Sequence, residues 1–201
     1  MNEDDGARDD NPEVTGRSDD DDAAAEPREP IDLDADQAAD AAALQDFWEA
    51  ARMRTGITRT AVVTGMSAEA TLPPPAWSFG DNPELADQLL DLVLAGTKTA
   101  TATSLAELEQ AGEPVPVRGD LSIVLDGAGH PRALIRTTDV QVLAFRDVTE
   151  EQAAAEGEDD RSLASWRREH STYFRRVLAG GGAEFSEDLP VAIETFELLY
   201  P

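Results

Sequence analysis

Between Asp36 and Arg54 the apolar residues Leu44, Phe47, Trp48 and Ala51 fall at helical spacing, which predicts an amphipathic helix with an aromatic stripe to dock. A second helical period runs through Leu85, Leu89, Leu92 and Val93. Asn82 can cap it, Pro83 suits its first position, Glu84 favours its positive end, and Gly96 stands where a left-handed residue would stop it. From Val117 the period shortens to that of strands: Leu121 to Leu125, a turn at Asp126-Gly127-Ala128-Gly129, then Ala133 to Thr138 and Val140 to Phe145. Thr149 and Gln152 form a capping box for a short helix through Ala155. A longer helix follows from about Leu163 to Leu178, stopped by Gly180-Gly181-Gly182, and a last strand covers Val191 to Tyr200. Strands and helices do not alternate, so the order predicts an α+β fold: a small antiparallel barrel with flanking helices, not a doubly wound sheet.

Charge divides the chain. The formal net charge is −26, and residues 1–38 carry fifteen acids against Arg8, Arg17 and Arg28. That stretch has too little apolar content to offset its ordering entropy and reads as a disordered acidic tail. Residues 39–76 read as the amphipathic helix and a linker that stiffens at Pro73-Pro74-Pro75, and residues 77–201 as the domain proper. From residue 70 onward 23 carboxylates face 10 basic residues, so any RNA contact must be local. Without cysteine there is neither a disulfide framework nor a Cys-ligated metal site. The chain shows no basic and apolar leader and no membrane-length apolar run, so a cytoplasmic protein with no membrane partner is expected.

Fifteen basic positions are arginine and one, Lys98, is lysine. It follows the helix that ends at Gly96, a place where a compact, deprotonable ammonium does what a guanidinium cannot. Thr97, Thr99, Thr101 and Thr103 alternate as the hydroxyl face of an ordinary strand would. Glu156 stands among other carboxylates at Glu158, Asp159 and Asp160, a solvated acidic loop or an oxygen-ligand cluster for a divalent metal, although the spacing matches no metal loop signature. On the long helix Trp166 and His170 share a face, suited to core packing or to base stacking and proton donation.

Gly96-x-Lys98-x-x-Thr101, the Gly119-Asp120 pair before a strand, and Ala153-x-x-Glu156-Gly157-Glu158 occur in order over about 120 residues. Together they resemble the ASCH domain family. Asp160-Arg161-Ser162-Leu163-x-x-Trp166-Arg167-x-x-His170 is similar to its longer-form members. The resemblance implies a PUA-like barrel and a cleft for RNA, a nucleoside or a nucleotide. It also implies one of two hydrolase types, a ribonuclease or an amidohydrolase acting on N4-acetylcytidine, with no organic cofactor. The family's lysine, threonine and glutamate fall on Lys98, Thr101 and Glu156, and Gly96, Arg161, Trp166 and His170 are candidate substrate-binding residues beside them. Thr101 is a weak nucleophile that needs a base, which a desolvated Lys98 could supply, with Glu156 orienting it or passing a proton to the leaving amine. If Lys98 keeps its proton, the same cleft suits phosphate contact in a non-catalytic RNA- or nucleotide-binding module.

Overall fold

A computed structural model describes residues 33–57, 72–182 and 184–201. The acidic tail expected over 1–38 lies outside them as far as residue 32, and so does the linker from 58 to 71. Helix α1 (Leu33–Thr55) leads to strand β1 (Ala76–Trp77) and helix α2 (Pro83–Leu94). Strand β2 (Ala100–Ser104) runs directly into helix α3 (Leu105–Ala111). Strands β3 (Leu121–Leu125) and β4 (Pro131–Ala144) form a hairpin, a turn of 3-10 helix (Phe145–Asp147) follows, and helices α4 (Glu150–Glu156) and α5 (Leu163–Gly180) precede strand β5 (Pro190–Tyr200).

Local chemistry explains the helix ends. The Asn82 side chain accepts from the Leu85 backbone N–H at 2.9 Å, a cap worth about 1 kcal/mol, with Pro83 in the first turn. Thr149 and Gln152 satisfy one another's backbone N–H groups as a complete capping box. Ser104 caps the short α3 by accepting from Glu107 N–H, an element the apolar period alone does not reveal.

The expected antiparallel barrel does not form. The strands lie in the order β1-β3-β4-β5-β2 as one open, mixed sheet whose edge strands β1 and β2 are not paired with each other, and β1 runs parallel to β3. Closure would need a ladder between those edges, but β1 contributes only Ala76 and Trp77. Helix α2 connects one edge to the other, burying Leu89, Leu90 and Val93 against Val124, Ala133, Ile135 and Phe196.

Two further apolar clusters cover the sheet. Phe145, Trp166, Phe174 and Leu178 pack with Val191 and Ile193. Trp48 and Ala51 of α1 pack with Ile123 and Leu134, and Phe47 meets Tyr200 edge-on at 5.4 Å, so the aromatic stripe of α1 docks on β3, β4 and β5. Among the described residues no helix is long and apolar enough to cross a membrane.

Candidate functional site

Lys98 is held by its backbone before its side chain is considered. Gly96, at φ +71°, turns the chain off α2, and the Thr97 and Lys98 N–H groups both donate to Leu92 O. Thr99 N–H donates to Ala155 O of α4 at 2.8 Å, while Phe196 N–H of β5 donates to Thr99 O. Helix α4 ends against this segment. Its C-terminal Gly157 has φ +74° and approaches so closely that a Cβ there would lie 2.5 Å from Thr97 O. Only glycine serves both the left-handed turn and the close approach.

The side chain of Lys98 is 1% exposed and reaches the last turn of α4. Its Nζ donates to Glu158 Oε1 at 2.5 Å, to Glu156 Oε2 at 3.4 Å and to Glu156 O at 3.5 Å. Three donors meet three acceptors, one of them the carbonyl end of a helix where a cation is favoured. The Phe79 ring lies beneath the ammonium, 5.1 Å away.

Glu156, equally buried, links two helices. Its Oε1 accepts the indole N–H of Trp166 at 2.5 Å, and its Oε2 lies 3.4 Å from Nε2 of His170. Trp166 and His170 sit one helical turn apart on α5, and their rings stack at 4.2 Å. Phe145 also stacks on Trp166, at 5.0 Å. Burial alone would raise the carboxyl pKa of Glu156, but the charges of His170 and Lys98 and the bonds from His170 and Trp166 outweigh it and bring it down to about 2. Burial likewise works against the His170 imidazolium, and the Glu156 carboxylate overcomes this and holds the pKa above its usual value.

These side chains border a cleft of about 1800 Å³ whose floor is the face of β2 and β5 carrying Thr101, Thr103 and Glu194. Of the residues expected from the sequence, Lys98, Glu156, Trp166 and His170 converge in one hydrogen-bonded group. Thr101 lines the same cleft, yet no hydrogen bond joins it to Lys98 or Glu156 among the described residues. Gly96 and Arg161 stand outside the cleft lining: Gly96 shapes the turn, and Arg161, with φ +62°, donates from Nε to Ala154 O and so ties the loop after α4 back to it. Ser165 is bonded to Asp159 of the same loop, and Arg168 reaches Asp159 at 3.0 Å. No group of three or more His, Asp or Glu side chains among the described residues is arranged to hold a metal ion.

Glu194, which the sequence pattern does not single out, is 9% exposed on the cleft floor. Its signal was an acid within Val191-Ala192-Ile193-Glu194, where a buried strand has little use for one.

The family model for the ASCH domain matches residues 75–200. A crystal structure of a protein from Enterococcus faecalis V583 is similar at 31% identity and a TM-score of 0.64, over 79% of this chain and 88% of that one. The ASCH domain from Lactobacillus crispatus JV V101 is similar at 31% identity and a TM-score of 0.61, over 74% of this chain and 96% of that one. No curated protein matches the chain.

Proposed function

The chain belongs to the ASCH domain family, and on that premise we propose that it is a non-catalytic RNA- or nucleotide-binding module that takes its ligand into the cleft between α2, α3 and α5. The observation that carries this reading is the saturation of Lys98. All three of its N–H donors are engaged by Glu156 and Glu158, so no lone pair on Nζ is directed at the Thr101 hydroxyl. Lys98 is therefore not the base for Thr101 in this reading, and the lysine fixes the cleft wall instead of activating a nucleophile.

Electrostatics favour admission of a base or nucleoside over a run of phosphates. The cleft is bordered by Glu107, Asp120, Glu156, Glu158 and Glu194, whereas Arg168 and Arg176 stand at the exposed α5 side. A strand held by phosphate contacts alone needs many cations. A base inserted between hydroxyls and carboxylates, with its phosphate left near the arginines, does not.

The test is titration of the full chain with a fluorescent single-stranded RNA and with nucleoside monophosphates, alongside incubation with N4-acetylcytidine and RNA. Saturable binding with no acetate release and no RNA shortening is expected. Turnover of either substrate, abolished in Thr101→Val, would replace the binding module with a hydrolase. Failure of every RNA and nucleotide to bind would remove the cleft from nucleic-acid recognition altogether.

A further inference from the structure

Glu194 lies in the middle of β5, between Thr101 of β2 and Val140 of β4 in the sheet register. Its side chain is buried on the cleft floor, and Oε1 accepts the hydroxyl proton of Thr137 at 2.5 Å. No cation is ion-paired with it among the described residues, and the charge that acts on it, Asp120, is another acid. A carboxylate desolvated this far without an ionic partner is costly for the fold alone. Burial accordingly pushes its pKa up, the Thr137 bond opposes that, and Asp120 adds to it.

The adjoining groups define what could satisfy this carboxylate. Thr101 faces Glu194 directly across the β2–β5 ladder, at a separation that brings Cβ atoms within about 5 Å. Its hydroxyl makes no hydrogen bond among the described residues and borders the same cleft. The floor thus presents one hydroxyl donor beside two carboxylate oxygens, in the sequence donor, acceptor, acceptor. The Watson–Crick edge of guanine presents the complement, with O6 as acceptor followed by the N1–H and N2–H donors. Adenine and cytosine set a ring-nitrogen acceptor beside their amino group, and uracil sets its single N–H between two acceptors. Against a carboxylate each of these brings lone pairs together.

We infer that Glu194 and Thr101 form a base-reading site selective for guanine, with the Glu194 carboxylate accepting from N1–H and N2–H and the Thr101 hydroxyl donating to O6. This rests on the binding reading above and sharpens it from nucleotides in general to one base. Thr137 acts as a positioning residue, its hydroxyl fixing the carboxylate rotamer from β4.

The experiment is calorimetric titration of the full chain with GMP, AMP, CMP, UMP and IMP. GMP should bind at least roughly tenfold tighter than AMP, CMP or UMP, because a base lacking the paired donors leaves a buried carboxylate unsatisfied. IMP keeps N1–H and lacks the N2 amino group, and it should bind roughly tenfold more weakly than GMP. Glu194→Gln, which replaces one acceptor with a donor, should reduce the GMP preference to less than about threefold. Should that variant fail to fold, the GMP to IMP ratio in the unaltered protein decides the matter by itself. Equal affinity for all five monophosphates would overturn guanine reading and leave the cleft as a binding site. RNA binding without any monophosphate binding would also overturn it, while failure of both RNA and monophosphates would overturn the binding reading beneath it.

Discussion

The indole N–H of Trp166 donates to the carboxylate of Glu156 at 2.5 Å, joining the first turn of the long α5 to the last residue of α4. The same carboxylate faces Lys98 and His170, so one anion ties three elements of the chain together.

Replacing Glu156 with alanine should therefore be among the most damaging single changes in the chain. It leaves the Lys98 ammonium and the Trp166 donor buried without their common acceptor, a loss of about 3–5 kcal/mol. Trp166→Phe removes the donor and trims the indole to a phenyl ring, and about 1.5–3 kcal/mol is expected for the lost charge-assisted hydrogen bond alone. Urea denaturation with an unchanged slope checks both values, and a smaller loss for Glu156→Ala than for Trp166→Phe would contradict the central place given to the anion.

The same group sets the pH dependence. Glu156 titrates near 4.5 when unfolded and at about 2 when folded, so its contribution is present above pH 4.5 and is lost as pH falls toward 2. His170 moves the opposite way. Its folded pKa is raised above 6.5, so its contribution is complete below pH 6.5 and is lost as pH rises through the raised value. The contributions of this pair are together complete between about pH 4.5 and about pH 6.5 and decline on both sides, and the raised pKa of Glu194 adds a loss of stability as pH rises above 4.5. His170→Gln should flatten the alkaline decline alone; an alkaline decline that survives this change would assign it to another group.

Two glycines give a matched comparison. Gly96 and Gly157 both hold positive φ, but a Cβ at Gly96 meets nothing within 4 Å, whereas one at Gly157 meets the Thr97 carbonyl. Gly96→Ala should cost about 1 kcal/mol in backbone strain. Gly157→Ala should cost clearly more, because Thr97 and Lys98 must also shift. Thermal melts of the two variants measure the difference, and equal melting temperatures would contradict the close packing of α4 on the lysine segment.

Thr101→Val exchanges a cleft hydroxyl for a methyl at nearly constant volume. Stability should change by less than about 1 kcal/mol, and affinity for the RNA probe should fall several-fold to roughly tenfold. Unchanged affinity would exclude Thr101 from the ligand contacts.

Much of this architecture is written in short-range signals. The cap at Asn82, the capping box at Thr149 and Gln152, the Gly96 stop and the final strand involve residues a few positions apart, and each stands where the pattern placed it. The two strands expected from Ala133 to Phe145 are one long β4, since its register shift near Thr137 and Asp139 bends the ladder without ending it. Barrel closure could not be read in the same way, because it depends on whether two distant edges meet, and the chain spends the span between them on α2. Within the site, Lys98 was conspicuous by composition, and its link to Glu156 followed from the family motif. Glu194 was not, because its significance lies in having Thr101 and Thr137 as neighbours from two other strands and no cation among them.

Glu194 stands on a strand bonded along both edges, to β4 and to β2. Amides in such a position exchange only when the sheet itself opens, so the β5 part of the cleft floor belongs to the stable interior of the sheet. An incoming base meets a surface that does not remodel around it. Selectivity on such a floor is settled at the moment of contact, by whether the ligand's own protons lie where the acceptors already stand.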